Sequence, residues 1–410
     1  MSEYLPRILD ELVEEYLTEL PAIMLVGPRA CGKTTTAARH AATIIRLDSD
    51  ADTAALGTDP DAALRDRTEP VLLDEWQLMP TVLRALKRAV DTERRPGRFL
   101  ITGSARSDTA DRFWPGTGRV VMIPMYPLTI AEQMQRTVRP IVDRVVDGES
   151  LRGDVAAPDL RGYLELALRG GFPEPALHLG DRSARDWLES YADQIAFRDA
   201  RSYGEVPDAA RMRRYLSSFA INSAGTPQDK TLYDAAGISR KTAVAYERRL
   251  VDLMVIDRMS AWSTNRLKRL SRTPKRYVID SGLLAGILRT DLEDTLSDGA
   301  LLGAMIDTFV VAQLRAEAAV ARTRYRLSHL RDQNGRREVD VIAELPRGRL
   351  IGIEIKAAAG VRRADARHLI WLRDSVGESF VAGVVFHTGR DTFELDDRIV
   401  ATPISALWSA

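Results

Sequence analysis

The sequence predicts an α/β protein, and three stretches carry the prediction. An apolar run over residues 22–26 stops at Gly27 and leads into Gly-x-x-x-x-Gly-Lys-Thr. Strand-like apolar runs then alternate with helix-period segments as far as residue 104, the pattern of a parallel sheet covered on both faces. In the last third, apolar runs at 337–345 and 349–357 flank Pro346-Arg347-Gly348, with helical segments on either side. That order predicts a second, mixed sheet.

Composition limits what the chain can do. Its 410 residues are enough for two or three domains, each able to bury a core. Hydrophobic residues make up 45% and charged ones 28%, an ordinary globular balance. Lys+Arg and Asp+Glu are both 58, so no global field draws in nucleic acid, and any such contact must be local. A lone cysteine, Cys31, excludes an internal disulfide framework and fits a reducing, cytoplasmic compartment. No apolar run reaches about 18 residues, so no membrane span is expected. The start, with Glu3 and Asp10, lacks the basic-then-apolar pattern of a signal peptide.

Leu5, Leu9, Leu12, Val13, Tyr16, Leu17 and Leu20 recur at helical spacing, so residues 3–20 read as an amphipathic helix. The loop formed by Gly27, Pro28, Arg29, Ala30, Cys31, Gly32, Lys33, Thr34 and Thr35 follows. Its glycines let successive N–H groups point at a phosphate. Lys33 brings a charge to the terminal phosphates, Thr34 a hydroxyl for Mg²⁺, and the helix beginning near Lys33 its dipole. Cys31 is either a small tolerated loop residue or a thiol whose oxidation blocks nucleotide. Further strands are expected at 44–48, 71–75 and 98–104, with helices at 34–42 and 78–90. Ligands of such sheets bind off the carboxyl ends of the strands. That rule gathers Lys33, Asp74, Glu75 and Ser104 around one nucleotide. Asp74 can hold Mg²⁺ through water, Glu75 can activate the attacking water, and Ser104 can bond that water or the terminal phosphate.

The stretches GPRACGKTT, LLDEWQLMP, FLITGSARS and GRVVMIPMYPLTIAE together resemble prokaryotic AAA-type ATPases fused to a C-terminal half of unknown function. That half resembles a winged-helix segment followed by a restriction-endonuclease-like core. The resemblance covers nearly the whole chain and implies ATP as the ligand. It divides the chain into an ATPase domain at 1–135, a linker and helical segment at 136–205, a winged-helix-like domain at 206–285 and a restriction-endonuclease-like domain at 286–410. Residues 135–160, polar and punctuated by Pro and Gly, read as a linker or variable loop. Arg119 matches a family arginine that reaches phosphate in its own or a neighbouring subunit, and Arg106 is the other candidate.

In the middle of the chain, 187–199 and 211–221 read as amphipathic helices. Residues 232–256 resemble a helix-turn-helix, with Gly237 at the turn and Ser239 as N-cap. Arg266, Lys268, Arg269, Arg272, Lys275 and Arg276 then form a basic stripe with no acid. It is either a DNA-phosphate contact or a solvated hairpin.

The C-terminal pattern is an acid, a gap, then Glu-x-Lys. Glu354 and Lys356 share one face of their strand while Ile353 and Ile355 face the core. The tight connection sets Asp340 opposite Glu354, and such an oxygen pair suits Mg²⁺ or Mn²⁺. Lys356 would position or deprotonate water, and Asp307, where the family usually has glutamate, would complete the metal set. His329, His368 and His387 have no ligand spacing. The leading expectation is an ATPase acting on DNA, with a metal-dependent nuclease at its end and a capacity to form homo-oligomers. The competing one is a nucleotide-dependent switch or scaffold whose last domain is inactive and mediates interactions.

Overall fold

A computed structural model describes residues 4–65, 67–103, 117–154, 156–199, 208–264, 272–332 and 335–409, with the side chains of residues 198 and 199 left aside. The chain forms two compact units, residues 1–127 with 249–255, and residues 128–248 with 256–410.

The first unit is a five-stranded sheet. Its strands are β1 (Ala22–Val26), β2 (Thr43–Arg46), β3 (Val71–Asp74), β4 (Phe99–Gly103) and β5 (Val121–Pro124). They lie in the order β2-β3-β4-β1-β5 and every pairing is parallel. Strands β1, β3 and β4 are buried at every position, which explains why their sequences run apolar without alternation. Met24, Leu73 and Ile101 pack with Trp76 and with Leu83 and Leu86 of the helix Val82–Thr92. Strand β1 lies between β4 and β5, so its carboxyl end stands beside that of β4, where the polar residues gather. The N-terminal helix is shorter than its periodicity suggests, Asp10–Glu19.

The second unit begins with helices. Residues 135–160 are not a loose linker: the helix Ile141–Val146 buries Asp143 and Arg144. Asp143 accepts from the N–H groups of Arg322 and Thr323, and Arg144 donates to the carbonyls of Ala406 and Ser409 at 2.8 Å. The helix Asp229–Ala236 ends at Gly237, which takes the left-handed conformation, φ 65°. The Ser239 hydroxyl then accepts from Thr242 N–H at the start of the helix Arg240–Asp252. Two antiparallel strands follow, β6 (Ile256–Met259) and β7 (Lys275–Val278).

A six-stranded mixed sheet closes the chain: β8 (Arg326–Arg331), β9 (Glu338–Glu344), β10 (Leu350–Lys356), β11 (Phe380–His387), β12 (Phe393–Asp396) and β13 (Ile399–Pro403), in the order β12-β13-β11-β10-β9-β8. The β9–β10 turn is Pro346–Gly348, with Arg347 and Gly348 both at positive φ. Leu369, Leu372, Phe380 and Val385 form the core of this sheet with Val339 and Ile342. The helix Gly299–Val320 is capped by Asp298, which accepts from the N–H groups of Ala300 and Leu301. By length and composition it could cross a membrane; in this fold it buries Met305, Ile306, Phe309 and Leu314 inside the unit. Trp408, in the closing apolar segment, packs edge-on against Tyr163 and Phe309.

Candidate active site

The phosphate loop is shaped by two glycines. A Cβ on Gly27 would lie 2.2 Å from the Met125 carbonyl oxygen, so only glycine lets β1 turn there. Gly32 sits at φ 99°, open to glycine and few others. Arg7 fastens the loop by donating to the Cys31 and Tyr126 carbonyls at 2.8 Å. Cys31 is buried with its Sγ against the Met125 carbonyl, which makes it a packing residue rather than an open thiol. Pro28 is buried, while Arg29, Ala30 and Thr35 face solvent. The side chain of Lys33 is buried and folds back into the loop, donating to the Pro28 carbonyl at 2.8 Å.

At the end of β3 a small network joins the acids to the loop. Asp74 is buried, and one of its oxygens accepts both the Thr34 hydroxyl, at 2.7 Å, and the Thr102 hydroxyl. Thr102 in turn accepts from the backbone N–H of Glu75 at 3.2 Å. Glu75 adopts a left-handed backbone, φ 60°, and its carboxylate accepts from the Gln77 amide. Thr34, Asp74, Thr102 and Glu75 thus form one connected network. The sequence marks Thr102 only as a polar residue near the end of its strand and gives it no role. A hydroxyl in an otherwise apolar, fully buried strand needs a buried partner, which is the signal for one. Thr34 and Asp74 are adjacent oxygen donors, a set that fits Mg²⁺ beside a phosphate.

Ser104 and Arg106 lie outside the described residues. Arg119 is described, and the structure does not bring it to its own loop. It precedes β5, whose first residue Val121 pairs with Ile23 near the start of β1, so it lies at the amino end of the strands, opposite the end that carries the loop. There its guanidinium is paired with Asp91 at 2.7 Å.

In the second unit β10 pairs with β9 as far as Ile353 opposite Val341, and the next acids, Glu354 and Asp340, lie close enough for Asp340 to act on the Glu354 carboxyl. The expected divalent-cation centre, however, is corrected by a residue from another strand. The Lys275 ammonium, buried on β7, lies 2.7 Å from Asp307 Oδ2 and 3.2 Å from Asp340 Oδ1. The other oxygen of Asp307 accepts the Tyr277 hydroxyl at 2.9 Å, and the other oxygen of Asp340 accepts Ile355 N–H at 3.0 Å. Lys356 donates to Glu354 at 2.7 Å. The Lys275 ammonium already stands between Asp307 and Asp340 and supplies the positive charge a divalent cation would bring, so the arrangement does not fit one while that lysine is in place. Among the described residues no three acidic, His or Cys side chains are grouped to hold a metal ion.

Burial pushes the Asp307 carboxyl up to about 6 and that of Glu354 up to about 8. Burial also acts on Asp340, but Lys275 and Lys356 outweigh it and hold that carboxyl below its ordinary value. His368, which spacing alone left unassigned, lies 3.9 Å from Glu354.

The basic stripe is corrected in part. Lys275 and Arg276 are buried, not solvent-facing, because both faces of β7 are covered. Arg276 points the other way from Lys275, donating to the Pro227 carbonyl and pairing with Asp229 and Glu247. Neither is open to DNA phosphates. Arg272 is partly exposed and donates to the Arg331 carbonyl, and Arg266, Lys268 and Arg269 lie outside the described residues.

Comparison with known proteins places these features in context. Residues 19–134 match the family model of an AAA domain. Residues 160–294 and 302–407 match two models of domains of unknown function, DUF8612 and DUF4143. The chain is 28% identical over 393 residues to Uncharacterized protein Rv2008c of Mycobacterium tuberculosis and, equally, to Uncharacterized protein Mb2031c of Mycobacterium bovis. Each alignment covers 94% of this chain and 81% of the relative. Among solved structures it is similar to the Walker-type ATPase PABY2304 of Pyrococcus abyssi, with a TM-score of 0.35 and 12% identity over 70% of this chain and 96% of the other. It is also similar to a DNA polymerase III gamma subunit-related protein of Thermotoga maritima, with a TM-score of 0.23 and 14% identity over 75% of this chain and 98% of the other. With its phosphate loop, its acid pair and its match over residues 19–134, the chain is an ATPase: an AAA domain fused to a C-terminal domain.

Proposed function

We propose that the chain is a nucleotide-set switch, in which ATP bound at residues 27–35 is hydrolysed and the second unit engages a partner without cutting nucleic acid. The observation that supports this most is the network Thr34–Asp74–Thr102–Glu75, which ties the loop to the residue suited to act on water. Lys33 leaves the Pro28 carbonyl to bind the terminal phosphates. Thr34 and Asp74 would hold Mg²⁺, which supplies positive charge against the phosphate oxygens. Glu75 takes a proton from the attacking water as general base. Thr102 positions both acids, and Ser104 contacts the water or the phosphate. Arg119, paired with Asp91 away from its own loop, serves a neighbouring chain if it serves catalysis at all, which makes Arg106 the candidate within the chain.

A second reading, action on DNA, draws support from the helix Arg240–Asp252. Arg240, Lys241, Val244 and Arg248 are exposed along it, and Val244 is 59% accessible. Basic residues around a small apolar centre suit the floor and walls of a DNA groove. A metal-dependent nuclease at Asp340, Glu354 and Lys356 is the finer form of that reading. One experiment separates them: plasmid and linear DNA incubated with the protein, with and without ATP, in Mg²⁺ and in Mn²⁺. The switch reading expects intact DNA in every lane. Cleavage that disappears in Asp340→Ala and Lys356→Ala, with ATP hydrolysis preserved, would replace it by the nuclease.

A further inference from the structure

The acid cluster of the second unit invites a question independent of ATP hydrolysis: what balances its charge? Asp307 and Glu354 are buried, Glu354 at 3% exposed, and Asp340 is half-buried beside them. Carboxylates this close need a cation between them, because burial removes the water that would otherwise separate their charges. Lys275 provides one. It is 2% exposed, and its distances of 2.7 and 3.2 Å to Asp307 and Asp340 are those of ammonium–carboxylate hydrogen bonds.

The lysine is also fixed from outside the cluster. The next residue, Arg276, is held by Pro227, Asp229 and Glu247 on the opposite face. Its backbone N–H and carbonyl bond to Gly225 and Ala224, and Val278 N–H donates to the Ser223 hydroxyl. Tyr277, two residues on and so on the same face as Lys275, bonds to Asp307 as well. Strand β7 therefore cannot slide without breaking bonds on both faces. One oxygen remains: Glu354 Oε1 is buried with no hydrogen-bond partner, at the edge of the cluster beside His368. The donor set of a cation site is present, but its centre is filled from within the chain.

We infer that the Lys275 ammonium stands where a divalent cation would sit between Asp307 and Asp340, so that the cluster takes no metal while that lysine is in place. Lys275 is a positioning residue here, holding β9 and the helix Gly299–Val320 to β7. Removing its charge while keeping its length leaves Asp307 and Asp340 facing each other as the two carboxylates a divalent cation would bridge.

The test is Mn²⁺ binding to the full-length, nucleotide-free protein, followed by the loss of the free-Mn²⁺ electron paramagnetic resonance signal. Wild type and Asp340→Asn should bind equal amounts of Mn²⁺ up to about 1 mM, the weak end of the range for oxygen-ligand sites. Lys275→Met should gain one Mn²⁺ per chain, and the double variant Lys275→Met/Asp340→Asn should lose it again. A wild-type Mn²⁺ site that vanishes in Asp340→Asn overturns the inference, and so does a folded Lys275→Met chain that gains none. Should Lys275→Met fail to fold, the comparison of wild type with Asp340→Asn decides by itself.

Discussion

Replacing Glu317 by glutamine should flatten the pH dependence of the second unit's stability. Glu317 is buried on the helix Gly299–Val320 and accepts the backbone N–H of Ile141 at 2.9 Å. Burial pushes its carboxyl up from an ordinary 4.5 to about 8, against the opposing pull of that N–H and of Arg144. A group raised on folding favours the native state in its protonated form. Its contribution is complete below pH 4.5 and is lost as pH rises through about 8. At about 1.4 kcal/mol per pH unit, the shift amounts to an upper limit of about 5 kcal/mol. For a unit of this size that is at most about 10 °C in melting temperature between pH 5 and pH 9. Glutamine keeps the shape and the acceptor for Ile141 N–H but cannot ionise. Asp280 and Glu354, raised to about 6 and about 8, tilt wild type and variant alike, so the difference between the two curves isolates Glu317. Thermal unfolding followed across that pH range, at constant ionic strength, is the assay. Parallel curves for wild type and Glu317→Gln would refute the argument.

Three further outcomes are expected. Thr102→Val removes a buried hydroxyl from Asp74 and leaves Glu75 N–H without its acceptor, so it should slow ATP turnover and destabilise the first unit by about 2 kcal/mol; unchanged turnover and melting would show the hydroxyl to be idle. Mixing Arg119→Ala with Lys33→Ala chains should restore partial ATPase activity if Arg119 serves a neighbouring chain, whereas a turnover per chain that does not vary with protein concentration would exclude that role. Changing Arg240 and Lys241 to Gln should lower any DNA affinity for all sequences and reduce the salt slope by about 0.9 for each phosphate no longer neutralised, and an unchanged slope would move DNA away from this helix.

What the sequence made legible was local. The phosphate loop lies within a dozen residues, and its glycines, lysine and threonine imply their geometry wherever the strand before them is buried. The turn at Pro346–Gly348 and the alternation Ile353, Glu354, Ile355, Lys356 likewise predicted Glu354 beside Asp340, because strand register is short-range physics. The failures needed partners from across the chain. Lys275 and Arg276 read as part of an exposed basic stripe, either a DNA-phosphate contact or a solvated hairpin, because their partners Asp307, Asp340, Asp229 and Glu247 lie tens of residues away. Arg119 followed a family motif, but which end of the strands it occupies depends on β5 lying parallel beside β1. Strands β5, β8, β12 and β13 went unread: β5, β8 and β12 are edge strands whose exposed positions hide the pattern.

The most direct test of the account is ATP turnover of Glu75→Gln beside wild type, with ATP affinity measured on both. Glutamine keeps the size of the side chain and its place next to Gln77 but cannot accept a proton from water. The account predicts that the wild type hydrolyses ATP, and that the variant binds ATP within about threefold of wild type while its turnover falls by about 100-fold or more. Equal turnover in the two proteins would contradict it.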